Sequence, residues 1–475
     1  MALPRKVLLK KASRFELKIL TKENIDMENL SGLDRVLNDV YALRCPKPID
    51  YHNRKDLIRI FNIIAKEIYG NSDECPFVEG FGSFIMDMFS PGSDLDLSIN
   101  FGSANVECSR DKKIQTLKKI SKKLHTLQRQ GHVTKIQRIM TARVPIVKVI
   151  DLGTRIECDI SVENWDGILK SQLIHVISAI DERFQKLSFL MKTWAKANGI
   201  NSSKDHTLNS LSIISLVAFH LQTRDPPILP PFSLLLKDGT EPKKVRKNVD
   251  TFIDYGKTNK ESIAQLFVSL LIKLSSVEKL WQKGLCASLY SATWTSKAWD
   301  SQCSPMSIED FTDRSQNVSR AVGTSEAKTI YDCIHNSLNC LLLFLDGHIE
   351  RTKMGELLFG SEDALSPLVK LVPNHNHGGS TGSRKNKKRK RRQDSDGVNA
   401  SKPLGENLPC TAITGAPPLI PSLVNNTAMS AINLAGLCNL LPQQPTLPQW
   451  APESSTAQIN NGNISTSSWP HWGAK

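Results

Sequence analysis

The stretch FGSFIMDMFSPGSDLDLSIN, residues 81–100, decides the fold. Its second half alternates polar and apolar residues from Asp94 to Ile99, which predicts a β-strand. Residues two apart on a strand point to the same side, so Asp94 and Asp96 present neighbouring carboxylates while the apolar residues face a core. Two like charges this close are unfavourable unless a cation neutralises them, and carboxylate oxygens suit Mg²⁺. The pattern predicts a metal site, with a solvated surface strand as the alternative.

Two further features favour the metal site. Ser83 precedes Asp94 by eleven residues and follows Gly82 directly. A glycine lets the backbone approach a triphosphate closely, and a serine hydroxyl with nearby amides can hold the terminal phosphate. A third carboxylate, Asp159, ends a separate apolar strand, and two-metal phosphoryl chemistry needs such a group for its second ion. Together these features indicate phosphoryl transfer from a triphosphate.

A small mixed sheet with helices is predicted around these carboxylates. Strands are expected at 143–150 and 155–162, joined by a hairpin turn at 151–154. Apolar residues at helical spacing predict a helix over 112–131 that covers one face of the sheet. From 168 to about 349 the periodicity is mainly helical. The predicted fold class is therefore α+β, with a sheet domain and a helical domain.

Changes in composition set the predicted domain boundaries. An N-terminal helical segment, 1–50, is expected to pack on the helical domain. The sheet domain is assigned to 51–166 and the helical domain to 167–350. From 371 to 475 the chain is rich in Pro, Asn, Ser, Gly and Gln, which is typical of a disordered tail.

The formal net charge of +14 predicts a polyanionic partner. The run 384–392 has eight cations in nine residues and predicts nuclear import, with an arm that holds RNA nonspecifically as the alternative. We expect a nuclear location, with the cytoplasm as the second choice. No apolar run is long enough to span a bilayer, so no membrane partner is expected. None of the ten cysteines forms a C-x-x-C pair, which predicts neither a zinc site nor a disulfide framework.

These motifs resemble the signature of the DNA polymerase beta-like nucleotidyltransferase superfamily. They are FGSF at 81–84, GSDLDL at 92–97 and CDIS at 158–161. The nearer resemblance is to noncanonical poly(A) polymerases and terminal uridylyltransferases, particularly the plant uridylyltransferases that tail small RNAs, and it extends over roughly residues 30 to 350. It implies a polymerase-beta-like palm followed by a helical poly(A)-polymerase-associated domain. It also implies transfer of a nucleotide to an RNA 3′ hydroxyl, with Asp94, Asp96 and Asp159 holding two Mg²⁺ or Mn²⁺ ions.

The resemblance assigns the triphosphate to Ser83 and to two lysines. Lys192 and Lys196 lie four apart on a helix predicted over 181–198 and so share one face. A solvated lysine stripe is the alternative for this pair. The resemblance adds Ser210, at the start of the next helix, as a further phosphate contact.

Several positions depart from the family pattern. Leu211 stands where relatives place a tyrosine that stacks on the base, and leucine lacks a π-system. Lys170 stands where many relatives have an asparagine that contacts the ribose, and its cation is expected to reach a phosphate instead. Asp310 and Asp313 are expected to accept hydrogen bonds from a base, and Gln316 occupies the place of a uracil-selecting histidine.

Because glutamine both donates and accepts hydrogen bonds, Gln316 does not by itself choose the nucleotide. The resemblance favours UTP, with ATP as the alternative. A catalytically weak relative that binds RNA or acts as a scaffold is the alternative of another class, motivated by Lys170, Leu211 and Gln316.

Spaced tryptophans in the tail are the last feature. Trp450, Trp469 and Trp472 stand among polar residues, and an apolar helical spacing runs through 429–441. By analogy with plant relatives that work on small RNAs, the tryptophans suggest an Argonaute-like partner. Incidental aromatics in a disordered tail are the alternative.

Overall fold

The computed structural model describes residues 3–22, 27–70, 75–102, 108–299 and 305–361. The expected tail, with its basic run, its apolar spacing and its tryptophans, lies outside these residues. None of the described helices is both long enough and apolar enough to cross a membrane.

Two helices precede the sheet, α1 (Arg5–Lys22) and α2 (Met27–Arg44). Their buried side chains, Leu8, Ala12, Leu30, Leu33, Val36 and Leu37, belong to the same core as the helices of the C-terminal half. The guanidinium of Arg44 donates to the carbonyl oxygen of Phe359 at 2.8 Å. The first two helices are therefore structural parts of the helical domain, although the sheet domain follows them in the chain.

The sheet domain, or palm, is a five-stranded sheet with helices on one face. In chain order its elements are α3 (Pro48–Tyr69), β1 (Phe77–Phe81), α4 (Gly82–Ile85), β2 (Leu95–Asn100), α5 (Arg110–Arg129), β3 (Val133–Ile139), β4 (Ile146–Asp151) and β5 (Glu157–Val162). The strand order is β1-β2-β5-β4-β3, with β2 and β5 parallel and the other neighbours antiparallel. This mixed sheet confirms the predicted fold class.

Alternation along the strands separates the core from the functional face. Leu95, Leu97 and Ile99 of β2 are buried in a core shared with α3 and α5. The intervening Asp96 points to the opposite face, as a period of two requires. The predicted strands over 143–150 and 155–162 form β4 and β5, and their antiparallel pairing confirms the predicted hairpin. Strand β3 was not predicted; its register is irregular between Thr134 and Gln137, which breaks the alternation.

The second domain is helical but contains a small sheet that the sequence did not reveal. Its elements are α6 (Trp165–Ser178), α7 (Glu182–Ala197), α8 (Ser210–Gln222), α9 (Phe232–Leu235), α10 (Pro242–Asp250), α11 (Ile263–Val277), β6 (Leu285–Ser288), β7 (Thr293–Ser296), β8 (Ile308–Glu309), α12 (Thr324–Leu345) and α13 (Arg351–Phe359). The last helix lies beyond residue 350, where the helical domain was expected to end.

Helix α7 illustrates why these segments become helices. The side chain of Asp181 accepts a hydrogen bond from the backbone amide of Arg183, which caps the first turn. One face buries Phe184, Leu187 and Trp194. The helix stops before Gly199, whose φ of +68° is costly for other residues. The predicted helix over 181–198 is therefore confirmed.

Candidate active site

Acidic residues from β2 and β5 lie side by side on the functional face. The two strands are parallel neighbours, with Asp96 opposite Asp159. Carboxylate oxygens of Asp94, Glu157 and Asp159 all lie within 4.8 Å of one another. Glu157 was missed by the sequence reasoning. It stands two residues before Asp159 on the same strand, so the rule that paired Asp94 with Asp96 would have found it.

Asp96 lies deeper than its neighbours, and its environment disfavours negative charge. Burial, followed by the charges of Asp94 and Asp159, raises the pKa of Asp96 well above its ordinary value, while Lys192 and Lys148 act in the opposite direction. Adjacent carboxylates that resist ionisation are typical of a site completed by a cation.

The glycine of the Gly-Ser turn fits closely against Asp96. Gly82 has a φ of +68°, and a β-carbon built there would lie 2.0 Å from Oδ2 of Asp96. Its backbone amide donates to the hydroxyl of Ser171 on α6 at 2.7 Å. Ser83 follows within the first turn of α4. The turn is thus bonded to α6 and packed closely against Asp96, and only glycine fits its first position.

A lysine is paired with the acidic residues of β5. Nζ of Lys148 lies 2.7 Å from Oδ2 of Asp159 and 2.6 Å from Oε1 of Glu157. Burial raises the pKa of Asp159 to about 6, against the lowering effect of Lys148. The other oxygen of Asp159, Oδ1, is buried and has no hydrogen-bond partner in the described part of the chain. A buried, unsatisfied carboxylate oxygen beside further carboxylates fits a divalent cation.

The structure brings both predicted lysines of α7 to this face. Nζ of Lys192 donates to the carbonyl oxygen of Met88 at 2.6 Å, and Nζ of Lys196 to that of Gly92 at 3.3 Å. Burial lowers the pKa of Lys192 to about 8, although the charge of Asp94 opposes this. The lysines therefore contact the loop that leads into the acidic strand.

A buried arginine that sequence reasoning missed holds the same loop. The guanidinium of Arg54, on α3, donates to the carbonyl oxygens of Pro91 at 3.0 Å and Ser93 at 2.5 Å. It lies 4.5 Å from the centre of the Phe89 ring and is fully buried. The signal was available, because Arg54 falls on the apolar face of α3, three residues before the buried Leu57.

Two of the predicted nucleotide contacts are engaged with each other. Nζ of Lys170 lies 2.5 Å from Oδ2 of Asp310 and 2.7 Å from a carboxylate oxygen of Asp166. The side chains of Lys170 and Asp310 are only 8% and 5% exposed. Oδ1 of Asp310 accepts from the amide and hydroxyl of Thr312. Lys170 and Asp310 thus neutralise each other in a buried position, while the expected contacts of Lys170 with a phosphate and of Asp310 with a base stay predictions.

The remaining predicted residues belong to the helical domain. Ser210 is the first residue of α8, and its hydroxyl lies 3.4 Å from the side-chain amide nitrogen of Asn201. Leu211 packs partly against the helical core. Asp313 is exposed and Gln316 is partly buried, and hydrogen bonds from Ser315 lower the pKa of Asp313.

Opposite these residues the palm contributes an arginine. The charge of Arg143, in the loop between β3 and β4, helps burial to lower the pKa of Arg320 in the helical domain. The charges of Asp310 and Asp166 act on Arg320 in the opposite direction, so the two arginines lie near each other in a region of mixed charge.

Comparison with known proteins agrees with this architecture. Residues 33–179 match the family model described as poly(A) RNA polymerase, mitochondrial-like, central palm domain. Protein HESO1 of Arabidopsis thaliana is 32% identical over 315 residues, which cover 61% of this chain and 60% of that protein. Terminal uridylyltransferase 4 of Homo sapiens is 28% identical over 331 residues, which cover 63% of this chain and 19% of that protein. The chain thus spans less than two thirds of each of these relatives.

Solved structures share the fold. The crystal structure of mtPAP in complex with UTP has a TM-score of 0.57 at 18% identity, covering 75% of this chain and 76% of that one. The Cid1 poly(U) polymerase structure has a TM-score of 0.52 at 21% identity, covering 66% and 95%. At such identities the likeness shows the fold alone, and it agrees with a palm joined to a helical domain.

Proposed function

We propose that this chain, a relative of the noncanonical poly(A) polymerases and terminal uridylyltransferases, adds nucleotides to RNA 3′ ends without a template. The observation that carries the proposal is the meeting of the β2 and β5 carboxylates with the lysines of α7. In the reaction, the terminal hydroxyl of RNA attacks the α-phosphate of a nucleoside triphosphate. A new phosphodiester bond forms, the bond to the β-phosphate breaks, and pyrophosphate leaves.

The acidic residues fit Mg²⁺ or Mn²⁺, since Asp159 offers a buried oxygen without a partner and Asp94 and Asp96 lie beside it. Bound metal supplies neutralisation of phosphate charge and a lower pKa for the attacking hydroxyl. Lys192 and Lys196 place two cations beside the same carboxylates and suit the triphosphate. With the triphosphate bound by these residues, the nucleobase would contact residues of the helical domain, across the cleft between that domain and the palm.

For the nucleotide we propose UTP, with ATP as the rival. UTP is supported by the relative named as a terminal uridylyltransferase, and ATP by the match to a poly(A) RNA polymerase palm. Asp310 already has donors at both carboxylate oxygens, which leaves it less acceptor capacity for a base. Selection then falls more to Asp313, which is exposed, and to Gln316, which is partly buried and accepts or donates with either base.

The test is extension of a labelled single-stranded RNA by the full chain, with each ribonucleotide given separately and Mg²⁺ or Mn²⁺ present. A ladder with UTP alone supports uridylyl transfer, and a ladder with ATP alone supports the rival. The Asp94→Ala/Asp96→Ala variant should give no ladder while remaining folded. If wild-type protein binds RNA yet extends it with no nucleotide, the function is that of a noncatalytic RNA-binding relative, which the altered Lys170 and Leu211 favour.

Location and protein partners are further parts of the proposal. The basic run 384–392 would direct nuclear import, and tryptophans in the tail would contact an Argonaute-like protein. A fluorescent fusion that lacks 384–392 should leave the nucleus, whereas an unchanged distribution would contradict import. Replacing Trp450, Trp469 and Trp472 with alanine should abolish any such protein contact in a pull-down with a purified Argonaute.

A further inference from the structure

Helix α5 presents an unusually basic outer face. Its 20 residues include eight lysines and arginines and a single acidic residue, Asp111. The apolar side, with Leu117 and Leu124, is buried against the sheet. Lys118 and Lys122, four residues apart, lie on the exposed side, and Arg129 continues the same stripe.

Few of these charges are balanced by a carboxylate of the chain. In this fully described helix, only Lys123 forms an ion pair with a carboxylate, that of Glu67 at 2.6 Å. Like charges at positions such as Lys118 and Lys122 destabilise a helix by about 0.2–0.5 kcal/mol for each pair. An ordinary solvated helix mixes the two signs. The uniform sign therefore points to an anionic partner outside the chain.

The neighbouring edge strand extends this basic region. Strand β3 packs beside α5 and forms the edge of the sheet, and both Lys135 and Arg138 are exposed on it. Within the described residues, eight exposed cations of the two elements have no carboxylate partner: Arg110, Lys112, Lys118, Lys119, Lys122, Arg129, Lys135 and Arg138. We call this region the α5–β3 surface.

The α5–β3 surface is continuous with the active-site cleft. Arg110, the first residue of α5, donates to the carbonyl oxygens of Met140 at 2.8 Å, Ala142 at 2.9 Å and Arg143 at 3.2 Å. The charge of Arg143 reaches Arg320 across the cleft. The acidic residues and α5 lie on opposite faces of the sheet, with the β3 edge between them. A strand leaving the cleft past Arg143 therefore meets the surface directly.

We propose that the α5–β3 surface binds the phosphates of the RNA body upstream of the 3′ end. The inference rests on the proposed function, which places that end in the cleft. A helix of 20 residues is about 30 Å long, which matches roughly nine nucleotides of a stacked strand at 3.4 Å each. Helix α5 and strand β3 expose no large apolar side chain of the kind that inserts into a membrane interface. The chemistry is that of a polyphosphate strand, held without base selection.

The test compares two variants of the full chain that lose the same charge. One is Lys118→Ala/Lys122→Ala/Arg129→Ala, and the control is Lys237→Ala/Lys328→Ala/Lys353→Ala in the helical domain. Binding of labelled single-stranded RNAs, one of five and one of thirty nucleotides as probes, is measured by anisotropy without nucleotide, over a range of salt. Extension of both RNAs is then measured with nucleotide.

For the thirty-nucleotide RNA, each lost phosphate contact should reduce the slope of log affinity against log salt by about 0.7, so the three substitutions should reduce it by about 2. Affinity at physiological salt should fall about tenfold or more, while the control variant and the short RNA show no change. Equal affinity and slope in the two variants would overturn the proposal. If the three α5 substitutions abolish binding to anionic vesicles but leave RNA binding intact, the surface binds a membrane and the proposal is wrong.

The binding arm separates this inference from the proposed function. A wild-type protein that extends no RNA, but whose long-RNA binding depends on the α5–β3 surface, would refute the transferase and leave the surface standing. Undiminished extension and binding of long RNA by the variant would refute the surface and leave the transferase standing.

Discussion

Replacing Gly82 with alanine should remove activity out of proportion to its effect on stability. The new β-carbon would lie 2.0 Å from Oδ2 of Asp96, and real contacts of this kind are essentially never below 3.0 Å. The carboxylate must therefore move by about 1 Å, a misplacement that costs on the order of 100-fold in rate, or about 2.7 kcal/mol. The φ of +68° adds about 1–2 kcal/mol of destabilisation, because alanine is strained there.

Gly131→Ala is the matched control. Gly131 also has a positive φ, +81°, but nothing lies within 4 Å of a β-carbon built there. The Gly131→Ala variant should lose a similar amount of stability and keep its activity. Extension rates at saturating nucleotide and urea unfolding of both variants provide the measurement. If Gly82→Ala extends RNA within a few-fold of Gly131→Ala, the close fit between the glycine and the carboxylate does not govern catalysis.

Further predictions concern neighbouring groups. Removing one member of the buried Lys170–Asp310 pair, as in Lys170→Met or Asp310→Asn, should cost about 3–5 kcal/mol of unfolding free energy. The double variant should cost less than the sum of the two single variants. Additive effects in urea unfolding would contradict a coupled pair. Arg54→Met should slow RNA extension, because the loop before the acidic strand loses the hydrogen bonds of the guanidinium. Arg54→Lys should keep part of the rate. Equal rates in the two variants would show that these hydrogen bonds do not position the loop. Because burial raises the pKa of Asp159 to about 6, its proton must leave before a cation binds, so Mn²⁺ affinity measured by paramagnetic resonance should fall as the pH drops below about 6. For the same reason the metal-free fold should lose stability as the pH rises from about 4 to 6, since the folded chain holds this proton more tightly than the unfolded chain. Glu157→Gln should weaken Mn²⁺ binding, and an unchanged affinity would exclude Glu157 from the metal site.

The parts of the site that the sequence predicted are those governed by local periodicity. Asp94 and Asp96 were paired because a strand repeats every two residues, and Lys192 and Lys196 because a helix brings every fourth residue to one face. The triphosphate role of the two lysines came from the family resemblance. Asp159 required in addition a family motif on a distant strand.

Two features of the helical domain that the sequence did not reveal depend on contacts between distant segments. Lys170 and Asp310 are 140 residues apart, and nothing local to either predicts that they neutralise each other. Strand β8 has two residues and pairs with β6 in parallel, so neither its length nor its pattern marks it as a strand. The pairing of the β2 carboxylates and of the α7 lysines thus followed from local rules, whereas the Lys170–Asp310 pair and strand β8 are set by long-range packing.

The helical domain is built from two separate parts of the chain, so its first two helices are synthesised before the palm and the rest after it. Asp34 of α2 accepts a hydrogen bond from the amide of Ala264 at 2.8 Å, and Arg44 of the same helix donates to the carbonyl oxygen of Phe359. The palm, by contrast, is one uninterrupted stretch and can fold as soon as it leaves the ribosome. At about 5–20 residues per second, the roughly 200 residues between β5 and Phe359 take about 10–40 s to make. Until that interval ends, the apolar faces of the first two helices lack part of their partners, which makes them natural substrates for chaperones.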